Sequence, residues 1–311
     1  EDGIRDVAVT GVQTCALPIS GFNGAVWPLQ STGLFLMEPA VSVVLFECGG
    51  RVHLRWFRHN PMVLVQSLAE SLLSYLGVFY ALQWFGLAAE VASPLALVAM
   101  AASPMVLTRV IHDTRSAGAV TDRALLLATL STLYALTLGS ALAEMSLRPA
   151  PSWLDRISPV LVVLGVSVGV AALLSLAMRL ALRVMSPTSE NTSILMLALI
   201  AAGTAVAAHL GGSAPLAALL GGMLLKQLHP RPWAWPRQLG TAASLLSMLM
   251  FVLVSTVAAR APWSAELAMM VLVMVLVRLL AKALGVGLGN IGSGASWRQA
   301  FWVSGAMAPM S

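Results

Sequence analysis

From Gly33 onward the chain alternates between long apolar runs and short polar connections. Ten runs stand out, at 33–48, 62–87, 92–111, 124–145, 157–185, 192–210, 213–228, 240–259, 265–288 and 299–311. Most approach the roughly 20 residues a helix needs to cross the hydrocarbon layer of a bilayer. The first contains Glu38-Pro39, the seventh is short and glycine-rich, and the last is short where the sequence stops at Ser311. The pattern predicts an all-α chain with about ten transmembrane segments.

Two of these runs carry the same interruption. Met100-Ala101-Ala102-Ser103-Pro104-Met105 lies in the third and Ala306-Met307-Ala308-Pro309-Met310 in the tenth. A proline there removes a backbone donor and breaks helical hydrogen bonds. Lipid cannot satisfy the freed groups, so such a break must face protein or a water-filled cavity. The third and tenth segments are seven crossings apart, so they run through the membrane in opposite directions. Paired, oppositely oriented breaks of this kind are the sequence mark of an inverted repeat with a midplane binding site. Ser103, Pro104 and Pro309 therefore enter as ion-path candidates, because opened carbonyls and hydroxyls are hard oxygen donors.

Composition sharpens the picture. Of the 311 residues, 58% are hydrophobic and only 10% charged, against about 25% charged in soluble domains. The net charge of +5 would suit a polyanion, but the basic residues lie in short connections and at segment ends. If the first segment ends in the cytoplasm, fourteen of them fall inside: Arg51, Arg55, Arg58, Arg109, Arg115, Arg123, Arg179, Arg183, Lys226, Arg231, Arg237, Arg278, Lys282 and Arg298. Three, Arg148, Arg156 and Arg260, fall outside. That asymmetry is the positive-inside rule, and it places the loops at 49–61, 112–123, 186–191, 229–239 and 289–298 in the cytoplasm. A nucleic-acid partner is not needed to explain the charge. Cys15 and Cys48 have neither ligand nor disulfide spacing. No metal-ligand spacing, phosphate loop or nucleophile–base arrangement points to an enzyme, a metal site or a cofactor.

Residues 1–20 read differently from the rest. Val9 to Ile19 resembles the translation of a sequencing adaptor, and it lacks the layout of a signal peptide. The expectation is that 1–20 is a non-native segment that does not pack on the membrane domain, and that both ends of the chain are truncated.

Several stretches in order resemble the monovalent cation:proton antiporter-2 family, within the wider sodium/proton exchanger group. These are Leu45-Phe46-Glu47-Cys48-Gly49, Ala102-Ser103-Pro104 through Arg109, the glycine-rich Leu210 to Gly222, Ala281-Lys282-Ala283-Leu284-Gly285, and Ala308-Pro309-Met310-Ser311. The resemblance implies that 21–311 is an incomplete transmembrane transporter domain, with a dimerisation part and a core of inverted repeats whose two Pro-broken helices cross near mid-membrane. It implies exchange of Na⁺ or K⁺ for H⁺, a homodimer, and a multi-pass place in the plasma membrane, the bacterial inner membrane. The chain departs from the family at one point. Where characterised members carry Asn-Asp or Asp-Asp after the first broken helix, this chain reads Ser131-Thr132. Neutral hydroxyls can coordinate a cation but cannot exchange a proton near neutral pH. The alternative is thus a non-transporting or uncoupled channel- or sensor-like homologue.

Some other group must titrate if exchange is coupled. Lys282, by the resemblance, would approach the crossing and stabilise its half-helix carbonyl ends. Arg278 lies one turn deeper on the same face, and either side chain could instead snorkel to the interface. Glu70, flanked by Gln66, Ser67, Ser71 and Ser74, is a secondary candidate beside Arg278. Its helix face is not fixed by the sequence, so Lys282 ranks above it. Glu38 reads as a packing or interface group, where the resemblance puts the dimer face, and Glu47 as an interfacial ion pair with the nearby arginines.

Overall fold

The computed structural model describes residues 30–52, 61–146, 153–186, 189–228, 264–291 and 296–309, with a few further positions between 245 and 259. Expectations for 1–20, for most of the eighth segment and for the 229–239 loop lie outside the described residues. The described chain is helical. In order it forms α1 (Gln30–Gly50), α2 (Met62–Trp84), α3 (Ala89–Met100), α4 (Pro104–Thr114) and α5 (Ala119–Ser146). α6 (Trp153–Val184), α7 (Glu190–His209), α8 (Ala214–Leu228), α9 (Ala265–Asn290) and α10 (Trp297–Ala306) follow. Five of these, α2, α5, α6, α7 and α9, are long and apolar enough to cross a membrane.

Helix starts follow the chemistry of orphan backbone donors. Ser189 accepts from Thr192 N at 3.2 Å, and Ser264 accepts from Leu267 N at 3.2 Å. Ser296 and Gln299 form a reciprocal capping box at the start of α10. Each supplies an acceptor to a first-turn N–H that has no partner within its helix. α7 ends on Gly211, whose φ of 80° is open chiefly to glycine. Gly212 N then bonds Ala207 O at 2.8 Å and Gly211 N bonds Ala208 O at 3.2 Å, a Schellman closure. That tight stop allows α8 to re-enter directly.

The described helices expose large apolar side chains as well as burying apolar ones. Large apolar side chains such as Leu161, Leu173 and Leu180 on α6, and Leu272, Leu276 and Leu280 on α9, are exposed. Serines, threonines and the charged Glu70, Arg278 and Lys282 are buried. This is the distribution expected where the surroundings are lipid and polar groups must find partners inside. α9 packs chiefly on α2, and α8 on α1 and α6. The third apolar segment is not one helix: it divides into α3 and α4 around Ala101–Ser103.

Candidate functional site

The division of the third segment is written in its residues. Pro104 restricts the residue before it to extended backbone, and proline is well suited to the first position of a new helix. Ser103 caps that new helix, its Oγ accepting from Val106 N at 3.4 Å. α3 therefore stops inside the molecule with its last carbonyls unpaired by helix geometry. α10 stops likewise before Pro309, and the two stops meet: Ser103 N donates to Pro309 O at 3.1 Å.

Almost every backbone group opened at the first break has a named partner. Arg278 Nε donates to Ala99 O at 2.7 Å and its Nη2 to Ala101 O at 3.2 Å. Lys282 Nζ donates to Met100 O at 2.9 Å. Ala102 is served by α5: its N–H donates to Ser131 Oγ at 3.1 Å, and its carbonyl accepts from Thr132 Oγ1 at 2.8 Å. Arg278 also reaches the second break, with Nη2 on Pro309 O at 3.1 Å and Met307 O at 3.4 Å, and Nη1 on Ala308 O. One guanidinium thus holds both half-helix ends, a task that suits its planar fork of five donors. The C-terminal ends of α3 and α10 carry partial negative charge, which two cations offset.

Lys282 has a second partner. Its Nζ forms an ion pair with Glu70 Oε1, and Ser71 Oγ donates to Glu70 Oε2 at 3.3 Å. Glu70 and Lys282 are 0% exposed and Arg278 1%. A pair so deep stands only if its remaining polar atoms are satisfied as well, since desolvation otherwise exceeds the Coulombic gain.

Glycines bring the pair together. A Cβ at Gly285 would lie 2.3 Å from Glu70 Cα, and one at Gly289 would lie 2.4 Å from Gln66 Cα. α9 therefore presses its backbone on α2 where small residues permit it. Lys282, Gly285 and Gly289 share a buried face with Arg278. The same glycines that admit α2 aim its Glu70 at the lysine one turn away. The spacing of Gly285 and Gly289 was available in the sequence, but its partner helix was not.

Of the sequence candidates, the structure gathers Ser103, Ser131, Thr132, Arg278, Lys282 and Pro309 at the break, with Glu70 attached through Lys282. Neither Arg278 nor Lys282 snorkels to the interface. The larger share of the carbonyl contacts belongs to Arg278, whereas the sequence reading gave that part to Lys282. Ser131 and Thr132 are engaged with the backbone of Ala102 and also with Ala128 O on their own helix, at 3.0 and 2.9 Å. Glu47 pairs with Arg51 at 2.7 Å, one turn along α1. Glu38 lies where side chains are outside the described residues.

Comparison with known proteins bears on this arrangement. Two structures of the sodium proton antiporter MjNhaP1 from Methanocaldococcus jannaschii share the fold. One, determined at pH 8, has TM-score 0.68 and 16% identity, over 90% of this chain and 72% of that chain. The other, an electron-microscopy map, has TM-score 0.74 and 16% identity, over 96% and 76% respectively. No curated protein sequence matches. The profile of the transmembrane sodium/hydrogen exchangers matches residues 14–311. The broken helices that meet at Arg278, on a multi-pass helical membrane protein, are accordingly those of a member of the sodium/hydrogen exchanger family, to which this chain belongs.

Proposed function

We propose that this protein exchanges a monovalent cation, Na⁺ or K⁺, for protons, and that the Glu70–Lys282 pair is its titrating unit. The observation that carries the proposal is a buried ion pair whose ammonium also holds Met100 O inside the first break. Ser131-Thr132 offers no acid, and its hydroxyls are occupied by the Ala102 backbone. Among the described residues, Glu70 is a carboxylate in contact with one of the break's partners, Lys282.

The coupling follows from electrostatics. Arg278 and Lys282 already set two positive charges beside one carboxylate, so a further cation is opposed unless one positive charge leaves. A cation that takes Glu70 replaces the ammonium there, and Lys282 releases one proton as it loses its counter-ion. Reprotonation of Lys282 expels the cation. The pair titrates as one unit, not as two independent groups. Its total charge is the same in both states, so exchange through it is electroneutral. Alternating exposure would use about ten spans arranged as an inverted repeat, in a homodimer of the plasma membrane, with the basic loops cytoplasmic.

The test is proton and cation flux in proteoliposomes of wild type, Lys282→Ala and Glu70→Gln. Coupled flux insensitive to membrane potential in wild type, absent in Lys282→Ala and strongly reduced in Glu70→Gln, is the expected result. Undiminished coupling in Lys282→Ala overturns the mechanism. No flux in wild type assigns the chain to the uncoupled homologues instead.

A further inference from the structure

The carbonyls opened at the first break divide by the donor that holds them. Ala99 O and Ala101 O accept from Arg278 at 2.7 and 3.2 Å, and Ala102 O accepts from Thr132 Oγ1 at 2.8 Å. Arginine stays protonated in proteins and the threonine hydroxyl is neutral, so neither donor leaves by losing a charge. Met100 O instead accepts from a lysine, Lys282 Nζ, at 2.9 Å. An ammonium can give up a proton and withdraw on its flexible stem. Of these four carbonyls, Met100 O is therefore the one that proton loss can set free.

The same proton loss frees a second oxygen. Lys282 Nζ also pairs with Glu70 Oε1, while Ser71 Oγ donates to Glu70 Oε2 at 3.3 Å. One carboxylate oxygen and one carbonyl oxygen then face a place that has just held a positive head. Oxygens of this kind replace the hydration shell of an alkali cation. The entering ion needs no other space, because it takes the volume that the ammonium leaves. The span between the two oxygens is held from outside. α9 presses Gly285 against the backbone of Glu70, and Arg278 bonds the carbonyls on both sides of Met100. The pair is thus set to grip an ammonium head, and closing on a smaller ion would strain those contacts. Potassium and rubidium ions are near ammonium in size, whereas sodium and lithium are smaller and hold their water more tightly.

We propose that the place of the Lys282 ammonium, between Glu70 Oε1 and Met100 O, is the cation site and that it selects ions of ammonium size, K⁺ and Rb⁺, over Na⁺ and Li⁺. Arg278 is the other charged group beside the lysine, and it keeps its charge throughout, so the ion enters only as the proton leaves. The use made of the site rests on the exchange function proposed above; the choice of ion rests on the spacing of the two oxygens.

Melting of the full chain in detergent tests the site without transport, because a ligand that binds only the folded state raises the melting temperature. Chloride salts of K⁺, Rb⁺, Na⁺ and Li⁺ are titrated at neutral and alkaline pH, with choline holding the ionic strength constant. K⁺ and Rb⁺ should raise the melting temperature at several-fold lower concentration than Na⁺ or Li⁺. The effect should grow at alkaline pH, where fewer protons compete for the lysine. It should vanish in Lys282→Arg, whose guanidinium does not leave, and in Glu70→Gln, which has no charge to hold the ion. Na⁺ or Li⁺ acting at equal or lower concentration, or no shift with any of these ions, overturns the proposal. A K⁺ shift that survives in Glu70→Gln overturns it as well. K⁺-selective stabilisation without flux in proteoliposomes would sink the exchange function and leave the site standing.

Discussion

Two seams between described helices, α1 with α8 and α2 with α9, are built with the same device for opposite ends. Where α8 meets α1, a Cβ at Gly222 would lie 2.1 Å from Phe46 O, and one at Gly49 would lie 2.1 Å from Leu219 O. Where α9 meets α2, Gly285 and Gly289 play the same part against Glu70 and Gln66. In lipid, apolar side chains give helices little reason to associate, so close backbone approach through small residues supplies the contact. The α1–α8 seam then fills with Phe46, Leu219 and Met223, all buried. The α2–α9 seam buries Gln66, Glu70, Arg278 and Lys282 instead. One seam spends its close approach on packing alone. The other uses it to hold charge beside an open backbone, and that difference separates scaffold from site.

Gly222→Val and Gly285→Val break the two seams by the same means and have the largest expected effect. Each drives side-chain carbon into opposing backbone, so neither variant should give monodisperse protein by size-exclusion chromatography in detergent. A monodisperse Gly222→Val would show that the α1–α8 seam is looser than its geometry.

Arg278→Lys separates the seams. It keeps the charge but loses the fork that serves Ala99, Ala101, Met307, Ala308 and Pro309. Each buried carbonyl left without a donor costs about 1–3 kcal/mol. The variant should melt at clearly lower temperature and lose transport, while no change of comparable size follows from Cys48→Ala in the apolar seam.

Thr132→Val is a smaller probe of the same break. It preserves shape and removes one donor from Ala102 O, a loss of about 1–3 kcal/mol. Reduced thermal stability with the cation preference unchanged is expected, because the hydroxyl serves backbone. An altered cation preference would show instead that Thr132 touches the transported ion. Arg51→Ala is the smallest. Its pair with Glu47 is partly exposed, and such pairs contribute about 0–1 kcal/mol, so melting temperature should barely move.

These differences were only partly legible beforehand. Ser103-Pro104 announces both a helix start and the break before it, because capping and proline geometry are local. The segment boundaries were near the helix ends for the same reason: length and polarity are local properties. Ser131 and Thr132 were singled out by the resemblance alone, and their service to Ala102 depends on how α5 lies across α3. The weight carried by Arg278 was underestimated, since an arginine near a helix end could have snorkelled equally well.

The sequence by itself determined an all-helical membrane chain, its family and the places where backbone opens. The tertiary structure decided which helices face one another across those openings. The physical reason is the solvent. In water, an amphipathic stripe tells which side of a helix is buried. In lipid, apolar residues serve on both sides, so periodicity leaves rotation undetermined. Only when Gly285 and Gly289 meet α2 does Glu70 acquire its face, and with it Lys282 as partner.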